Sequence, residues 1–456
     1  MNPYNVKEFG ATGEKDQDAR PAIQAAIDAC ASAGGGMVYF PPGAYTSGTL
    51  FLRSHVRLFV ESGATIYSSK DVNAYPKHAL FYADGADHIA LEGHGVIDGE
   101  AEYVWRITDH DDRYIAPNQR RMEALGKPLN RAFPKPDCVG NLVLLLRCKD
   151  VVIRDLSFLH SPSWTMHLYA CERLVIDAVY IFTSRDSGVW ADGIDPNSCK
   201  DVRISNCTID TGDDALVFYS NSVYGPALPC ENITVTNCRL SSSSSAIKFC
   251  DGNENCVRKV TIDNCVITDS NRGIAFMVFD GGYISDVVIS NITIDCQRHD
   301  WFWWGEGDPL HFRVIQRSEI HPEIRTPDEP AVGSVRNVLL KNIIARGKAP
   351  STIQGHENSP LEGVTLQDVK LILSTDPNAQ YDNADHGLII QHARNLRLDH
   401  VEVIWEGPLS QDWKSALYLE DIHGLELTGF RGGAAHPDSG HPAIALVKVE
   451  DVVTGR

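Results

Sequence analysis

The stretch from Trp190 to Ser220, WADGIDPNSCKDVRISNCTIDTGDDALVFYS, holds Asp192, Asp195, Asp201, Asp210 and the adjacent pair Asp213 and Asp214, with Asp186 just upstream. Like charges repel and carboxylates resist burial, so acids crowded among short apolar segments need a reason. If Asp192, Asp213 and Asp214 converge, repulsion leaves one carboxyl protonated beside an ionised neighbour. That combination serves glycosidic bond hydrolysis, where an acid protonates the leaving oxygen and a base activates water. A cation site or a solvated acidic ladder would use the same residue types.

Whether the three meet depends on the elements that carry them. The chain repeats itself: VVIRDLS (151–157), LVIDAVY (174–180), VRISNCT (202–208), ITVTNCR (233–239), VTIDNCV (260–266), VVISNIT (287–293), VLLKNII (338–344), VTLQDVK (364–370), LRLDHVE (396–402) and LELTGFR (425–431). The fifth residues are Asp155, Ala178, Asn206, Asn237, Asn264, Asn291, Asn342, Asp368, His400 and Gly429, spaced 23, 28, 31, 27, 27, 51, 26, 32 and 29 apart. The spacing of 51 reads as one coil with a long insertion. Period-two alternation means one face in and one out. A unit of this length with two or three short strands means a solenoid. Equivalent side chains then stack into ladders. The asparagines are expected to bond the next turn's backbone. Cys207, Cys238 and Cys265 stack beside them, as small core residues or as thiols with some reactivity. On such a scaffold Asp213 and Asp214 lie one coil after Asp192, on the outer face.

The N-terminus differs. DARPAIQAAIDACASAGGG reads as a helix with Asp18 as N-cap and Gly34 ending it. Ala22, Ile23, Ala26, Ile27 and Cys30 share one face, which would cover the solenoid's apolar end. The last rung, AIALVKVEDVVTGR, carries no obvious cap. Two stretches break the rhythm, 101–137 and 297–334, and are expected as loop insertions near the binding face. The second contains WFWW, read either as a hydrophobic clamp or, with Trp303, as a sugar-stacking wall. The reading is one β-helix domain over 1–456, with about 1–60 as cap and first turns.

The 456 residues carry 60 acids against 41 bases, a formal net charge of −19. This balance disfavours nucleic acids and suits a neutral partner, though a local basic pocket could override it; simple solubility explains it as well. No run of about 18 apolar residues exists, so no membrane span is expected. The start, MNPYNVKEFG, shows no secretory pattern, and the expected location is a bacterial cytoplasm rather than outside the cell. None of the twelve cysteines forms a C-x-x-C pair, so a zinc site is not expected and the thiols are read as reduced and buried.

These motifs together resemble glycoside hydrolase family 28, the polygalacturonase family. WADGIDP resembles the family's Asn-Thr-Asp-Gly-Ile-Asp-Pro and keeps Asp192; TGDDA keeps Asp213 and Asp214. SPSWTMHL (161–168) and GVIDG (95–99) also fit, and the likeness runs from about residue 4 to at least 295. The resemblance implies an all-β, right-handed parallel β-helix. It also implies a metal-independent, inverting glycosidase with no cofactor. Asp213 would be the general acid, and Asp192 with Asp214 would hold and deprotonate a water. Inversion implies an acid-to-base gap of roughly 6.5–9.5 Å.

The chain also departs from the pattern. Ser245 stands at the family's histidine position, and Ala275 and Met277 replace the Arg and Lys that grip galacturonate. Losing both cations removes a charge-assisted clamp, which points to a neutral sugar or a uronate held differently. Lys248 and Arg272 could substitute, or be ordinary exposed bases. Trp190 and Tyr219 could be stacking platforms, with core packing an equal reading for Trp190. His167 reads as a satisfied structural histidine more readily than as a site residue. The insertions suggest exo-action on small oligosaccharides. The competing functions are a β-helix lyase or transferase, expected to need calcium, and a non-catalytic glycan-binding β-helix.

Overall fold

The computed structural model of the protein describes residues 3–103, 105–107, 132–134, 140–185, 187–249, 252–299, 305–320, 325–326, 329–377 and 384–455. The fold is the right-handed parallel β-helix. Among the described residues, thirty-three strands belong to one hydrogen-bonded sheet dominated by parallel pairs, and one antiparallel pair, Trp105–Ile107 with Ala132–Pro134, stands apart. The chain divides into two compact units. One is built from Met1–Asp109, Asn130–Val217 and Cys230–Arg239, the other from Phe218–Pro229 and Leu240–Arg456.

In the first unit the alternating residues form apolar columns. Val151, Leu174, Val202 and Ile233 are successive register partners, as are Ile153, Ile176, Ile204 and Val235. All eight are buried. The helix Arg20–Ser32 buries the five residues its spacing predicts, Ala22, Ile23, Ala26, Ile27 and Cys30. Its N-cap is Ala19 rather than Asp18; the Asp18 carboxylate instead accepts the Arg20 N–H at 3.0 Å.

The second unit repeats the plan. Val260, Val287, Val338 and Val364 form one column. Phe249, Phe276 and Phe312 stack at centroid distances of 4.2 and 4.0 Å. Ile292 pairs with Ile343, so the spacing of 51 is one coil with an insertion. That insertion is not all loop. Asp308–Val314 is a strand paired along Arg272–Val278, with Leu310, Phe312 and Val314 turned into the core. Most of 101–137, and the WFWW segment with Trp303, lie outside the described residues. The final strand, Ile444–Gly455, is largely exposed, Val453 at 63%.

All ten fifth residues have left-handed backbone, with φ between 50° at Asn342 and 62° at Asp155 and Gly429. Asparagine, aspartate and glycine dominate because they enter this region most easily. Side-chain bonds link asparagines of successive coils, and Asn206 and Asn291 also donate to Asp177 and Asp263 on the coil before, each at 2.7 Å. Asn237 Nδ2 donates to Asn206 Oδ1 at 3.2 Å, and Asn342 Nδ2 to Asn291 Oδ1 at 2.7 Å. The ten described cysteines are buried. No described helix is long and apolar enough to cross a membrane.

Candidate active site

Strand register brings the acids together. Ile194 pairs with Leu216, which sets Asp192 beside Asp214 on the next coil. The N–H of Gly193 donates to the Asp214 carbonyl at 2.9 Å, and Thr165 N–H to the Asp192 carbonyl at 2.9 Å. The glycines flanking the acids are required by space. A Cβ on Gly193 would lie 2.3 Å from the Ala215 carbonyl oxygen, and one on Gly212 would lie 2.2 Å from that of Ser184. Thr183 ties the two coils: its hydroxyl donates to the Ala191 carbonyl at 2.9 Å and accepts the Gly212 N–H at 2.8 Å.

One carboxylate oxygen from each of Asp192, Asp213 and Asp214 lies within 4.8 Å of the other two. The three side chains are buried, at 2%, 3% and 1% exposure. Asp213 is fixed by main-chain donors. Its Oδ2 accepts from Trp190 N–H and its Oδ1 from Asp214 N–H, both at 2.9 Å. Those two bonds fix the orientation of the Asp213 carboxyl group. The arrangement can move a proton at a bond placed against it, and its donor set could also hold a divalent cation.

The sequence profile of Glycosyl hydrolases family 28 matches residues 36–297, which include all three aspartates. The chain belongs to family 28. Among curated proteins, this family 28 chain is 24% identical over 410 residues to a probable polygalacturonase of Vitis vinifera, covering 81% of this chain and 74% of that one. Among solved structures it is similar to an exopolygalacturonase from Thermotoga maritima, with a TM-score of 0.64, 23% identity and coverage of 89% and 91% of the two chains. It is also similar to a family 28 exopolygalacturonase of Yersinia enterocolitica, with a TM-score of 0.66, 17% identity and coverage of 93% and 78%.

The remaining expected site residues fall differently. Trp190 is 37% exposed and has left-handed backbone, φ 65°, a costly conformation for a bulky residue. Its N–H on Asp213 gives that conformation a purpose. Tyr219 is 8% exposed, so it does not offer an open stacking face. Lys248 and Arg272 are buried, at 6% and 7%, not ordinary exposed bases. Arg272 Nε donates to Asp308 Oδ2 at 3.3 Å, so its charge is already matched. Trp303 lies outside the described residues. His167 is buried and packed edge-on to Trp164 at 4.5 Å, and burial pushes its pKa down to about 3.

The charged strand Asp308–Val314 went unnoticed in the sequence. Ala275 pairs with His311 and Met277 with Arg313, so basic residues stand one coil beyond the two positions that lost them. Asp308 accepts from Arg272 and lies 3.0 Å from His311 Nδ1. Burial works to raise the Asp308 carboxyl, but Arg272 and His311 outweigh it and hold it below its ordinary value. The alternation of Leu310, Phe312 and Val314 was the available signal.

Proposed function

We propose that this family 28 chain hydrolyses an O-glycosidic bond in a neutral or pectin-related oligosaccharide, acting from chain ends. Asp213 protonates the leaving oxygen, and Asp192 and Asp214 hold and deprotonate the attacking water. The observation that carries this reading is the meeting of three buried carboxylates within 4.8 Å beside a half-exposed tryptophan. The polygalacturonase and exopolygalacturonase names of the relatives support a pectin-related substrate and exo-action. The test is Asp213→Asn assayed on oligogalacturonides and on a panel of aryl glycosides. Turnover should fall by about 10²–10⁴-fold with substrate binding retained. Unchanged turnover would remove Asp213 as the acid. Chromatography over time should give monosaccharide first; early mid-chain fragments would exclude exo-action.

Family membership supports inversion, with Asp192 and Asp214 binding the water jointly, to one side of Asp213. Proton NMR of the first-formed anomer tests this, and a retained anomer would make one aspartate a nucleophile.

A further inference from the structure

Arg313 lies on the strand Asp308–Val314 between Phe312 and Val314, both fully buried in the core, so its side chain points to the opposite face. It is only partly exposed, yet among the described residues it makes no hydrogen bond and no ion pair. Such a guanidinium is costly unless something pairs with it.

Among the described residues no acid bonds to Arg313, and those around it have other partners. Asp308 accepts at Oδ2 from Arg272, lies 3.0 Å from His311 Nδ1 through the same oxygen, and accepts at Oδ1 from the Glu306 N–H at 2.7 Å. Glu319 lies 2.9 Å from His356 Nε2 and also accepts the Gln316 N–H. Asp280 pairs with Arg317. A second cation stands close: Arg272 Nη1 lies 3.8 Å from Met277 Sδ, and Met277 is the register partner of Arg313. Burial, then the charge of Arg272, push the Arg313 guanidinium below its ordinary value, against a pull from Glu319.

We propose that Arg313 is the anchor of a carboxylate-binding site for an acidic sugar, with Gln354 and Thr352 on the adjacent strand as partners for its hydroxyls. Gln354 is the register partner of Arg313, and Thr352 that of His311, so both stand on the same face one strand spacing away. A guanidinium presents a planar fork that matches a carboxylate through two parallel bonds. Amide and hydroxyl side chains beside it suit ring hydroxyls. The site differs from the positions of Ala275 and Met277, where the family pattern places its cations and this chain has none. The choice of a sugar acid rests on the proposed glycosidase function; the choice of an anion does not.

The test is calorimetric or NMR titration of the full chain with D-galacturonate, D-galactose and inorganic phosphate, at low and at physiological salt. Galacturonate should bind at least about tenfold tighter than galactose, and Arg313→Gln should erase that preference. Arg313→Lys keeps the charge but not the fork, and should retain only part of it; this variant serves also if the glutamine variant does not fold. An unchanged preference in Arg313→Gln, or equal binding of the two sugars by the wild type, would overturn the site. Phosphate displacing galacturonate at equal concentration would overturn its assignment to a sugar acid. Neither monosaccharide is a glycoside, so these titrations do not depend on the aspartates. Asp213→Asn should bind galacturonate as the wild type does, which separates failure of this site from failure of the hydrolase reading.

Discussion

The N–H of Gly193 meets the carbonyl of Asp214 at 2.9 Å, and this bond between successive coils fixes Asp192 beside Asp214. No side chain can be added at Gly193 without striking the Ala215 carbonyl oxygen at 2.3 Å and Ile209 Cγ2 at 2.7 Å. At Gly212 a Cβ would lie 2.2 Å from the Ser184 carbonyl oxygen and 2.7 Å from Gly188 Cα. Backbone on several sides cannot step aside as a flexible side chain would. Gly193→Ala and Gly212→Ala should therefore each cost about 1–3 kcal/mol, as overpacking does, read as a lower urea midpoint at unchanged slope. Both should lose activity beyond the stability loss, because the strain falls on the coils that align the acids. Wild-type activity in either variant would show that this alignment is not needed for turnover.

Chelation divides the two uses of the three carboxylates. A divalent cation bound by Asp192, Asp213 and Asp214 would hold all three ionised and leave no acid for the leaving group. The acid–base reading requires one of them to carry a proton. Protein dialysed against EDTA should keep full turnover, and added calcium should not raise it. Activity lost on dialysis and restored by calcium would favour the lyase reading, which an unsaturated product's absorbance would then identify.

His167 gives the fold a measurable dependence on pH. It is 3% exposed, and burial lowers its pKa from 6.5 to about 3. The folded protein holds it neutral where the unfolded chain takes up a proton. Between about pH 6.5 and 3 the unfolded state binds more protons, so stability is full above that window and falls as pH falls through it. The slope from this one group is at most about 1.4 kcal/mol per pH unit. His311 and His386, also lowered with burial as the first cause, act in the same direction; His160, raised chiefly by its hydrogen bond with Asp98, acts in the opposite one. The informative quantity is thus the difference between wild type and His167→Gln. Urea midpoints at pH 7, 6 and 5 should fall more steeply for the wild type, and parallel curves would refute a neutral buried His167.

Much of this was legible in the sequence, because the solenoid makes local pattern and long-range contact the same thing. Val202 finds Ile233 through the unit length alone, and the apolar columns follow. The convergence of Asp192 with Asp213 and Asp214 was legible for the same reason. The burial of Lys248 and Arg272 was not. It depends on which charged neighbour sits on the next coil, and Asp308 lies 36 residues beyond Arg272 behind an irregular insertion. The strand Asp308–Val314 was hidden by that insertion: three alternating apolar residues are too few to stand out beside WFWW and a charged run. Tyr219 follows Phe218 at the end of a strand, where alternation no longer says which way a ring turns.

The left-handed corner offers a last test, because it separates backbone cost from side-chain bonding. Asn206 has φ 57°, donates to Asp177 Oδ1 at 2.7 Å and accepts from Asn237 at 3.2 Å. Replacing it with alanine loses both bonds and leaves a Cβ in the left-handed region without the short polar side chain that eases asparagine there, at up to about 1–2 kcal/mol for the conformation. Replacing it with glycine loses the same bonds but not the backbone conformation, since glycine enters that region freely. Asn206 is exposed, so water can take over from the lost partners and the bonds themselves count for little. Asn206→Gly should therefore melt closer to wild type than Asn206→Ala does. Ala178 already occupies the equivalent corner one coil earlier at φ 52°, so the alanine variant should still fold. Equal melting temperatures for the two variants would mean that the side-chain ladder, and not the backbone, determines the residue at this corner.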